Sequence, residues 1–268
     1  MARKKRQSSS IGKLLAVAII IIIGIVISRF LIPSDNVEYS DDLCIPQFTT
    51  KVNSQIIKHS GYTVSYNNDT RNPNWVGYEL TAEEVQGTVG RGNGFCCDPM
   101  VRGPQANDSD YRNSGWDRGH LAPAADMKWS KQAMDESFYL SNVSPQNKNL
   151  NRGVWKKLEE HCRDKAELYG RLVIITGPVF NGDGQETIGE NMVKVPDAFF
   201  KVMYSDYNGK ARAIGFIFEN KAGKKKLKEY ARSINEIEDM LQIDFFAALP
   251  DDVEEEMEKS FSAPFWGI

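Results

Sequence analysis

The sequence predicts a mixed α+β domain, because segments with the two-residue period of strands alternate along the chain with segments of helical spacing. Tyr62–Tyr66 and Trp75–Leu80 alternate apolar and polar residues, as half-buried strands do. Asn151–Tyr169 and Lys225–Leu241 instead place apolar residues three and four positions apart, which is typical of amphipathic helices. The other predicted elements are three strands, Leu172–Thr176, Ala198–Tyr204 and Ala211–Phe218, and a short acidic helix, Asp251–Ser260. This mixture indicates an α+β or α/β sandwich.

The N-terminal segment differs in composition from the rest of the chain. Five of the first 13 residues are basic, and an apolar run from Leu14 to Ser28 follows them. A basic flank before an apolar run is typical of a signal sequence. The stretch 14–32 is long enough to span a membrane if Arg29 extends its charge to the interface. Since no small-residue cleavage site is evident before Pro33, we expect an uncleaved transmembrane anchor, with a removed signal peptide as the alternative.

This segment also predicts the topology and the domain boundaries. Positive charge ahead of the apolar run places the N-terminus in the cytoplasm, so we expect the body to be extracytoplasmic, in a periplasm or at a cell surface. With an uncleaved anchor the body would be attached to the membrane, and with a removed signal peptide it would be secreted. We divide the chain into a basic N-terminus with its anchor, 1–32, a polar linker, 33–45, and one continuous domain, 46–268.

The charge balance limits how the body can hold a polyanion. Six of the 33 basic residues, and none of the 36 acidic ones, lie in residues 1–32. The body therefore has 27 basic against 36 acidic residues, a net charge of −9. Since nucleic-acid binders are usually basic, this disfavours tight binding over a long footprint. It remains compatible with an enzyme that holds a few phosphates through a local arginine cluster and a metal ion.

Four cysteines permit two disulfides outside the cytoplasm but do not define their pairing. They are Cys44, Cys96, Cys97 and Cys162. The neighbours Cys96 and Cys97 rarely bond to each other, so a bond from Cys44 to one of them is plausible. The spacing does not match a zinc site.

The chain has three histidines, and one of them lies in a run that suggests chemistry. His59 is predicted to lie on the surface in a polar stretch, and His161 at an exposed helix position. His120 ends the run Asp117-Arg118-Gly119-His120. An imidazole titrates near pH ~6.5, so His120 is the candidate general base.

A second group of polar side chains lies on the helix that follows. At 3.6 residues per turn, Asn151, Glu159 and Arg163 fall on one slowly rotating row, because they recur at multiples of four residues. Trp155 occupies the remaining position of that row. An amide oxygen, a carboxylate and a guanidinium therefore share one side of the helix.

These residue types match the needs of phosphodiester hydrolysis, in which a base activates water and cations meet the phosphate charge. The amide oxygen of Asn151 suits Mg²⁺, which prefers oxygen ligands and keeps several waters. Glu159 could hydrogen-bond those waters. Arg118 and Arg163 could clamp phosphate oxygens.

Each of these residues also has an ordinary structural interpretation. Asp117 and Arg118 could form a surface ion pair. Asn151 could be a helix N-cap. Glu159 and Arg163 are four residues apart, which is the spacing of an ordinary helical salt bridge. Spacing alone leaves these alternatives open.

Two motifs resemble a known family. The first is Asp117-Arg118-Gly119-His120, and the second is Asn142-x-x-Pro145-Gln146-x-x-x-Leu150-Asn151-x-x-x-Trp155-x-x-Leu158-Glu159. Together they resemble the DNA/RNA non-specific endonuclease family, which includes secreted bacterial nucleases and mitochondrial endonuclease G. Supporting positions are Trp75-Val76-x-Tyr78, Thr176-Gly177-Pro178, Val195-Pro196, Phe199-Phe200-Lys201 and Leu249-Pro250-Asp251-Asp252. The resemblance implies the ββα-metal fold, with a central antiparallel sheet flanked by helices, here preceded by one N-terminal hydrophobic helix.

The resemblance also implies roles for individual residues. His120 corresponds to the general base and Asn151 to the single direct protein ligand of Mg²⁺, for which Mn²⁺ or another divalent cation could substitute. Glu159 corresponds to the residue that orients metal-bound water. Arg118 and Arg163 match residues that bind phosphate or stabilise the transition state. Arg91 matches another such arginine on a looser alignment. Asn142 matches a structural member of the hydrogen-bond network in the active site.

The sequence therefore predicts a divalent-metal-dependent endonuclease with DNA and RNA as substrates and little sequence preference. One alternative is a catalytically silent nucleic-acid-binding module on the same fold. A phosphodiesterase for small substrates is another, and the acidic body is compatible with it.

Overall fold

The computed structural model describes residues 41–92, 94–182, 184–223 and 225–268. Ser40–Ile268 is a compact unit. The predicted N-terminal hydrophobic helix and most of the predicted linker lie outside the described residues, so the boundaries 1–32, 33–45 and 46–268 remain predictions. Within the described ranges, no helix is both long and apolar enough to cross a membrane.

A seven-stranded sheet, antiparallel between every pair of neighbours, forms the centre of the unit. In chain order the strands of the described residues are β1 (Gln47–Phe48), β2 (Gln55–Lys58), β3 (Thr63–Asn67), β4 (Asn72–Thr81), β5 (Asp117–His120), β6 (Val143–Gln146), β7 (Arg171–Val179), β8 (Thr187–Ile188), β9 (Val193–Lys194), β10 (Ala198–Ser205), β11 (Arg212–Glu219), β12 (Ala231–Arg232) and β13 (Ile243–Asp244). The large sheet has the order β12-β11-β10-β7-β4-β3-β2. Three two-stranded ribbons, β1-β13, β5-β6 and β8-β9, accompany it. The predicted antiparallel α+β class is confirmed.

Short helices connect these strands. The α-helices described are α1 (Ala82–Val85), α2 (Asp108–Tyr111), α3 (Lys131–Glu136), α4 (Lys148–Leu150), α5 (Lys156–Tyr169), α6 (Ile234–Leu241), α7 (Asp251–Glu258) and α8 (Ala263–Trp266). A π-helix, Asn151–Trp155, joins α4 to α5, and 3-10 turns occur at Asp41–Cys44, Leu140–Asn142, Tyr207–Gly209 and Leu227–Glu229.

Both faces of the large sheet are covered, which explains why every residue of β10 is buried. On one face, the Sγ atom of Cys162 in α5 lies 3.7 Å from the Sδ atom of Met203 in β10. On the other face, a β-carbon added to Gly215 of β11 would lie 2.1 Å from Cδ1 of Ile237 in α6, so only glycine allows α6 to approach this closely. The sheet is therefore the middle layer of the domain.

The prediction of one helix over Lys225–Leu241 is wrong, because the segment divides into three elements. Leu227–Glu229 is a single 3-10 turn, and Ala231 then pairs with Phe216 as part of strand β12. The helix α6 begins only after Ser233, whose hydroxyl accepts a hydrogen bond from the backbone N–H of Glu236. The apolar residues before Ser233 face the core from a strand and a turn, and helical spacing alone did not distinguish these possibilities.

The predictions for two histidines are also corrected. His161 is half-buried rather than exposed, and its Nε2 is enclosed by the protein. His59 is buried rather than on the surface, and its Nε2 lies 2.9 Å from Oδ2 of the buried Asp98. The rings of Tyr62 and Tyr139 pack against the imidazole. The contact with Asp98 provides a hydrogen-bond partner for Nε2 inside the protein. The four cysteines form no disulfide within the described residues.

Candidate active site

One cavity of about 390 Å³ brings together all the side chains selected from the sequence. Those selected residues are Arg91, Arg118, His120, Asn151, Glu159 and Arg163. Two further basic residues, Arg152 and Lys156, line the same cavity. The cavity is therefore rich in positively charged side chains, although the body as a whole is acidic.

The ribbon β5-β6 and the helix after it place these groups side by side. His120 pairs with Val143 across the ribbon, and Arg118 pairs with Pro145. Gly119 lies between them in β5, and a β-carbon there would lie 2.5 Å from Oε1 of Gln146, so this tight pairing requires glycine. After β6 the chain passes directly into α4, the π-helix and α5, which carry the remaining helical residues of the site.

His120 lines the cavity, and one of its two ring nitrogens is enclosed by the protein. Its Nε2 is buried and has no hydrogen-bond partner among the described residues. The centroids of the Phe95 and Phe138 rings lie 5.0 and 5.1 Å from the imidazole centroid, and these rings shield part of the imidazole from water. This burial, together with the nearby positive charge of Arg91, lowers the pKa of His120 to about 3. The imidazole is therefore neutral at pH 7, which is the form that accepts a proton.

Asn142 fixes the chain just beyond His120. Its Nδ2 donates to the backbone oxygens of Ala122 and Ser137 at 2.8 and 2.9 Å, and its Oδ1 accepts from the N–H of Ala122 at 2.9 Å. All of these groups are buried. Asn142 thus occupies the structural position expected of it, holding the loop after β5 without lining the cavity.

Asn151 is the first residue of the π-helix, and its carboxamide has a defined orientation. The Nδ2 atom donates to Oδ2 of Asp117 at 3.1 Å, and Arg152 holds the same carboxylate with two further hydrogen bonds of 2.8 and 2.9 Å. A carboxylate only accepts hydrogen bonds, so it selects the NH₂ end of the amide. The oxygen of Asn151 is consequently the end that remains to act as a ligand.

These residues fit a hard divalent cation with few protein ligands. In the described part of the chain, no three His, Cys, Asp or Glu side chains converge on a common metal position. The donors in the cavity are the amide oxygen of Asn151 and the carboxylate of Glu159. Oxygen donors with room for water suit Mg²⁺ or Mn²⁺ and do not suit zinc.

Glu159 and Arg163 project from α5 above a buried network of charges. The guanidinium of Arg163 donates to Oδ1 of Asp126 at 2.7 Å, and the hydroxyl of Tyr78 donates to Oδ2 at 2.9 Å. The Nζ of Lys201, fully buried, lies 4.9 Å from the ring centroid of Trp155 and donates to the backbone oxygen of Leu121.

Burial governs the ionisation of the acids in this network. It raises the pKa of Glu159 to about 7, although the positive charges of Lys201 and Arg163 act in the opposite direction. Burial also raises the pKa of Asp126, against the effect of Arg163. The pKa of the Lys201 ammonium is lowered for the same reason. Glu159 is thus poised between its two protonation states near neutral pH.

The other two arginines are held by different means. The Nε of Arg118 lies 2.7 Å from Oδ1 of Asp108, and its guanidinium also lies 5.6 Å from the ring of Phe95. Arg91 lies on an exposed loop with its guanidinium 5.0 Å from the ring centroid of Phe138. Both arginines therefore contact an aromatic ring that also packs on His120.

The ordinary structural interpretations of the motif residues do not describe this site. Asp117 pairs with Arg152 and not with its neighbour Arg118. The residue that caps the helical segment is Asn147, whose side chain accepts from the N–H groups of Asn149 and Leu150. Arg163 pairs with Asp126 and not with Glu159.

Sequence reasoning missed the acidic partners of the arginines and the buried lysine. Asp108 and Asp126 lie in a turn-rich helix start and a loop, where an aspartate has many ordinary roles. The sequence does hint at the role of Lys201, because a lysine inside an apolar strand is expected to be buried and a buried lysine needs a partner. That partner could not be named from the sequence.

Comparison with known proteins gives consistent matches. A family model described as DNA/RNA non-specific endonuclease matches residues 39–252. "Nuclease EXOG, mitochondrial" of Danio rerio is 36% identical over 209 residues, covering 71% of this chain and 60% of that protein. "Endonuclease G, mitochondrial" of Homo sapiens is 39% identical over 167 residues, covering 58% of this chain and 56% of that protein. The chain thus spans less than two thirds of the length of these relatives.

A solved structure agrees with the sequence relatives. The crystal structure of the EndoG/EndoGI complex contains a chain that aligns with a TM-score of 0.71 at 29% sequence identity, covering 77% of this chain and 90% of that chain.

The curated relatives also correct one expectation. They are mitochondrial nucleases, so the prediction that this chain works outside the cytoplasm, in a periplasm or at a cell surface, is wrong. The prediction of membrane attachment concerns residues 1–32, which lie outside the described residues.

Proposed function

The chain belongs to the DNA/RNA non-specific endonuclease family, and from that premise we propose that it is a divalent-metal-dependent endonuclease acting on DNA and RNA. The observation that carries the proposal is the placement of His120 in the same cavity as the oriented amide of Asn151 and the arginines. Like that of His120, the Nε2 of His161 is buried without a hydrogen-bond partner among the described residues, but His161 does not line the cavity, so it is the position of His120 that distinguishes the two histidines.

In the proposed mechanism, His120 removes a proton from the attacking water. The neutral imidazole accepts that proton, which places a positive charge on the ring within the cavity. The bound phosphodiester anion favours this charge, so substrate binding raises the pKa of His120 above its value in the free protein. The rings of Phe95 and Phe138 exclude competing water from the imidazole.

The arginines meet the negative charge that develops on the phosphoryl oxygens. Arg163 and Arg118 are held in place by Asp126 and Asp108, so they need little reorganisation when substrate binds. Arg91 stands at the exposed rim, where it can contact a phosphate early. Contacts to phosphates alone carry no sequence information, and weak sequence preference follows.

The cation, Mg²⁺ or Mn²⁺, would be held by the oxygen of Asn151, with Glu159 orienting its water, and it would polarise the phosphate and support the leaving oxygen. Asp117 acts behind Asn151 by accepting from its NH₂ group. The ββα arrangement corresponds in this proposal to β5, β6 and the helix that follows them. The names of the relatives favour a mitochondrial location.

The experiment that tests the base is His120→Ala on a generic DNA duplex and a structured RNA with Mg²⁺. Hydrolysis of both should fall by roughly 10² or more, since this is what a positioned base contributes. Added imidazole should restore part of the rate, because it can enter the space left by the side chain. The control is His161→Ala, on α5 but outside the cavity lining, which should keep activity.

Two results would contradict this assignment. Activity of His120→Ala close to that of the unchanged protein would exclude His120 as the base. A loss that imidazole does not restore, with an altered circular dichroism spectrum, would assign His120 a structural role.

The metal ligand is tested by Asn151→Ala against Asn149→Ala, an exposed asparagine two residues away. The first should need much more Mg²⁺ for half-maximal cleavage, and the second should not. Equal Mg²⁺ titrations would remove Asn151 from the ligand set. Cleavage by the unchanged protein in EDTA would contradict the metal requirement itself.

A further inference from the structure

A lysine-rich segment follows strand β11. Residues 221–228 read Lys-Ala-Gly-Lys-Lys-Lys-Leu-Lys, with five lysines and no acidic residue among eight positions. The proposed catalytic mechanism does not use it. In a body of net charge −9, such a concentration of positive charge is a local exception.

Two sets of contacts hold this segment beside the helical part of the candidate site. Asn220, which immediately precedes it, accepts from the N–H of Asn147 at 2.8 Å and donates to the backbone oxygen of Pro145 at 3.1 Å. Further along, a β-carbon on Gly223 would lie 2.8 Å from Cγ1 of Val154, so the backbone of the segment lies against the π-helix. Asn151, the proposed metal ligand, begins that same π-helix.

Three lysines of the segment present their charge to solvent. Lys225, Lys226 and Lys228 are exposed, and none of them forms an ion pair within the described residues. Lys221 pairs with Glu219. The backbone N–H of Lys225 donates to the hydroxyl of Tyr230, which anchors the segment to a ring that stacks on Phe218.

A second row of basic residues connects this segment to the cavity. Lys148, Arg152 and Lys156 are all exposed, and the last two line the cavity. Arg152 pairs with Asp117 and Lys156 with Glu160, whereas Lys148 forms no ion pair within the described residues. The Gly223–Val154 contact lies within the helical stretch that carries this row. Basic side chains are therefore present both at the cavity and on the segment packed beside it.

We propose that segment 221–228 and the row Lys148, Arg152 and Lys156 form one docking surface for the phosphate backbone of a nucleic acid, extending beyond the bond that is cut. The proposal rests on the nuclease function above and gives it a longer footprint. Each neutralised phosphate releases condensed counterions, so unpaired exposed lysines are suited to this task. The acidic surface elsewhere confines the substrate to this face.

The segment suits a nucleic acid better than a membrane surface. Binding to a bilayer normally combines basic residues with exposed apolar ones. Leu227 is the one large apolar residue of the segment, and it packs against the hydrophobic core. The basic side chains are thus left without an apolar anchor.

The test measures binding of the full chain to a 30-base-pair DNA duplex in EDTA, over a series of salt concentrations. Lys225→Gln/Lys228→Gln should weaken binding by about tenfold at low salt, and the slope of log K against log salt should become shallower by about 2, close to one unit per lost contact. Since no cleavage is required, the result can be read even if the proposed nuclease activity fails.

The matched control is Lys210→Gln/Lys259→Gln, which removes the same charge elsewhere. Lys210 lies in the turn between β10 and β11, at the opposite end of that hairpin from Glu219, and Lys259 is exposed at the end of α7. This variant should keep the affinity and the slope of the unchanged protein.

Three outcomes would overturn the proposal. Equal slopes for the two double variants would show only a general charge effect. Unchanged duplex affinity in Lys225→Gln/Lys228→Gln would remove the segment from the interface. If that variant instead loses sedimentation with vesicles of 30% phosphatidylserine while keeping duplex affinity, the segment is a membrane contact.

Discussion

The surroundings of the cavity and of helix α7 both contain buried or half-buried acids, but the negative charge is neutralised differently in the two regions. At the cavity each of three aspartates pairs with an arginine: Asp108, Asp117 and Asp126 with Arg118, Arg152 and Arg163. Near α7 four carboxylates, Glu238, Asp244, Glu254 and Glu258, influence one another, and they form no ion pair within the described residues.

The consequence is visible in the pKa values of the second region. Burial, reinforced by Glu238, Glu254 and Asp244, raises the pKa of Glu258 to about 9, and that of Glu254 reaches about 7. Near α7, where the carboxyl groups have only a structural role, protonation neutralises their charge. At the cavity, fixed arginines keep charge in place over a wide pH range, which is what phosphate binding requires.

The largest effect is expected from breaking a pair at the cavity. Asp126→Ala removes a fully buried partner of Arg163, so the free energy of unfolding should fall by about 3 kcal/mol, because the remaining charge loses its counter-ion. Urea denaturation measures this. The control is Asp135→Ala, whose pair with Lys131 is exposed and should contribute less than about 1 kcal/mol. Equal losses in the two variants would refute the distinction between the two kinds of pair.

An intermediate effect is expected for the acidic cluster, and it depends on pH. The pKa of Glu258 is higher in the folded protein, about 9, than its ordinary value of 4.5, so the native state holds an extra proton between these values. Stability should therefore decrease as pH rises from about 4.5 to about 9. In Glu258→Gln the melting temperature should fall by about 5 °C less over that window.

Thermal melts at pH 5, 7 and 9 measure this difference. Glu255→Gln, an exposed position on the same helix, is the control and should follow the unchanged protein. A steeper decline in Glu258→Gln than in the control would reverse the sign that we derive.

The smallest effect concerns the balance of charges beneath Glu159. Lys201 lowers the pKa of Glu159, which burial raises to about 7, so Lys201→Met should move that pKa upward in the metal-free protein. Carbon-13 NMR titration of the carboxyl group measures it, with Glu159→Gln for assignment. Lys157→Met, exposed on α5, should leave the titration unchanged, since solvent screens it. A downward shift in Lys201→Met would contradict the proposed balance.

The sheet and the identity of the site residues were accessible from the sequence for local reasons. Strands such as β4 and β10 carry their own apolar patterns, and Ala198–Tyr204 was predicted almost to its ends. Apart from Arg91, the catalytic candidates lie in two short stretches, so their spacing can be read from the sequence without knowing the fold. Their roles remain predictions that the proposed variants test.

The partners of those residues were inaccessible because they are distant in sequence. Asp126 precedes Arg163 by 37 positions, and Leu121 precedes Lys201 by 80. The helical row was also only partly right, because Trp155, placed on the polar side, is fully buried. A row drawn at 3.6 residues per turn does not continue through a π-helix.

That π-helix determines how Asn151 is rotated about the helix axis relative to Glu159. A π turn holds one residue more than an α turn, and the chain is kinked within this one at Gly153, whose φ of −109° and ψ of −112° are not helical. Deleting that single residue would let an unbroken α-helix form, which would turn Asn151 by about 100° and shift it about 1.5 Å relative to Glu159. Loss of a single residue would thus be enough to separate Asn151 from the other groups of the site. Insertions and deletions, more than substitutions, are the changes to which this stretch of the chain is least tolerant.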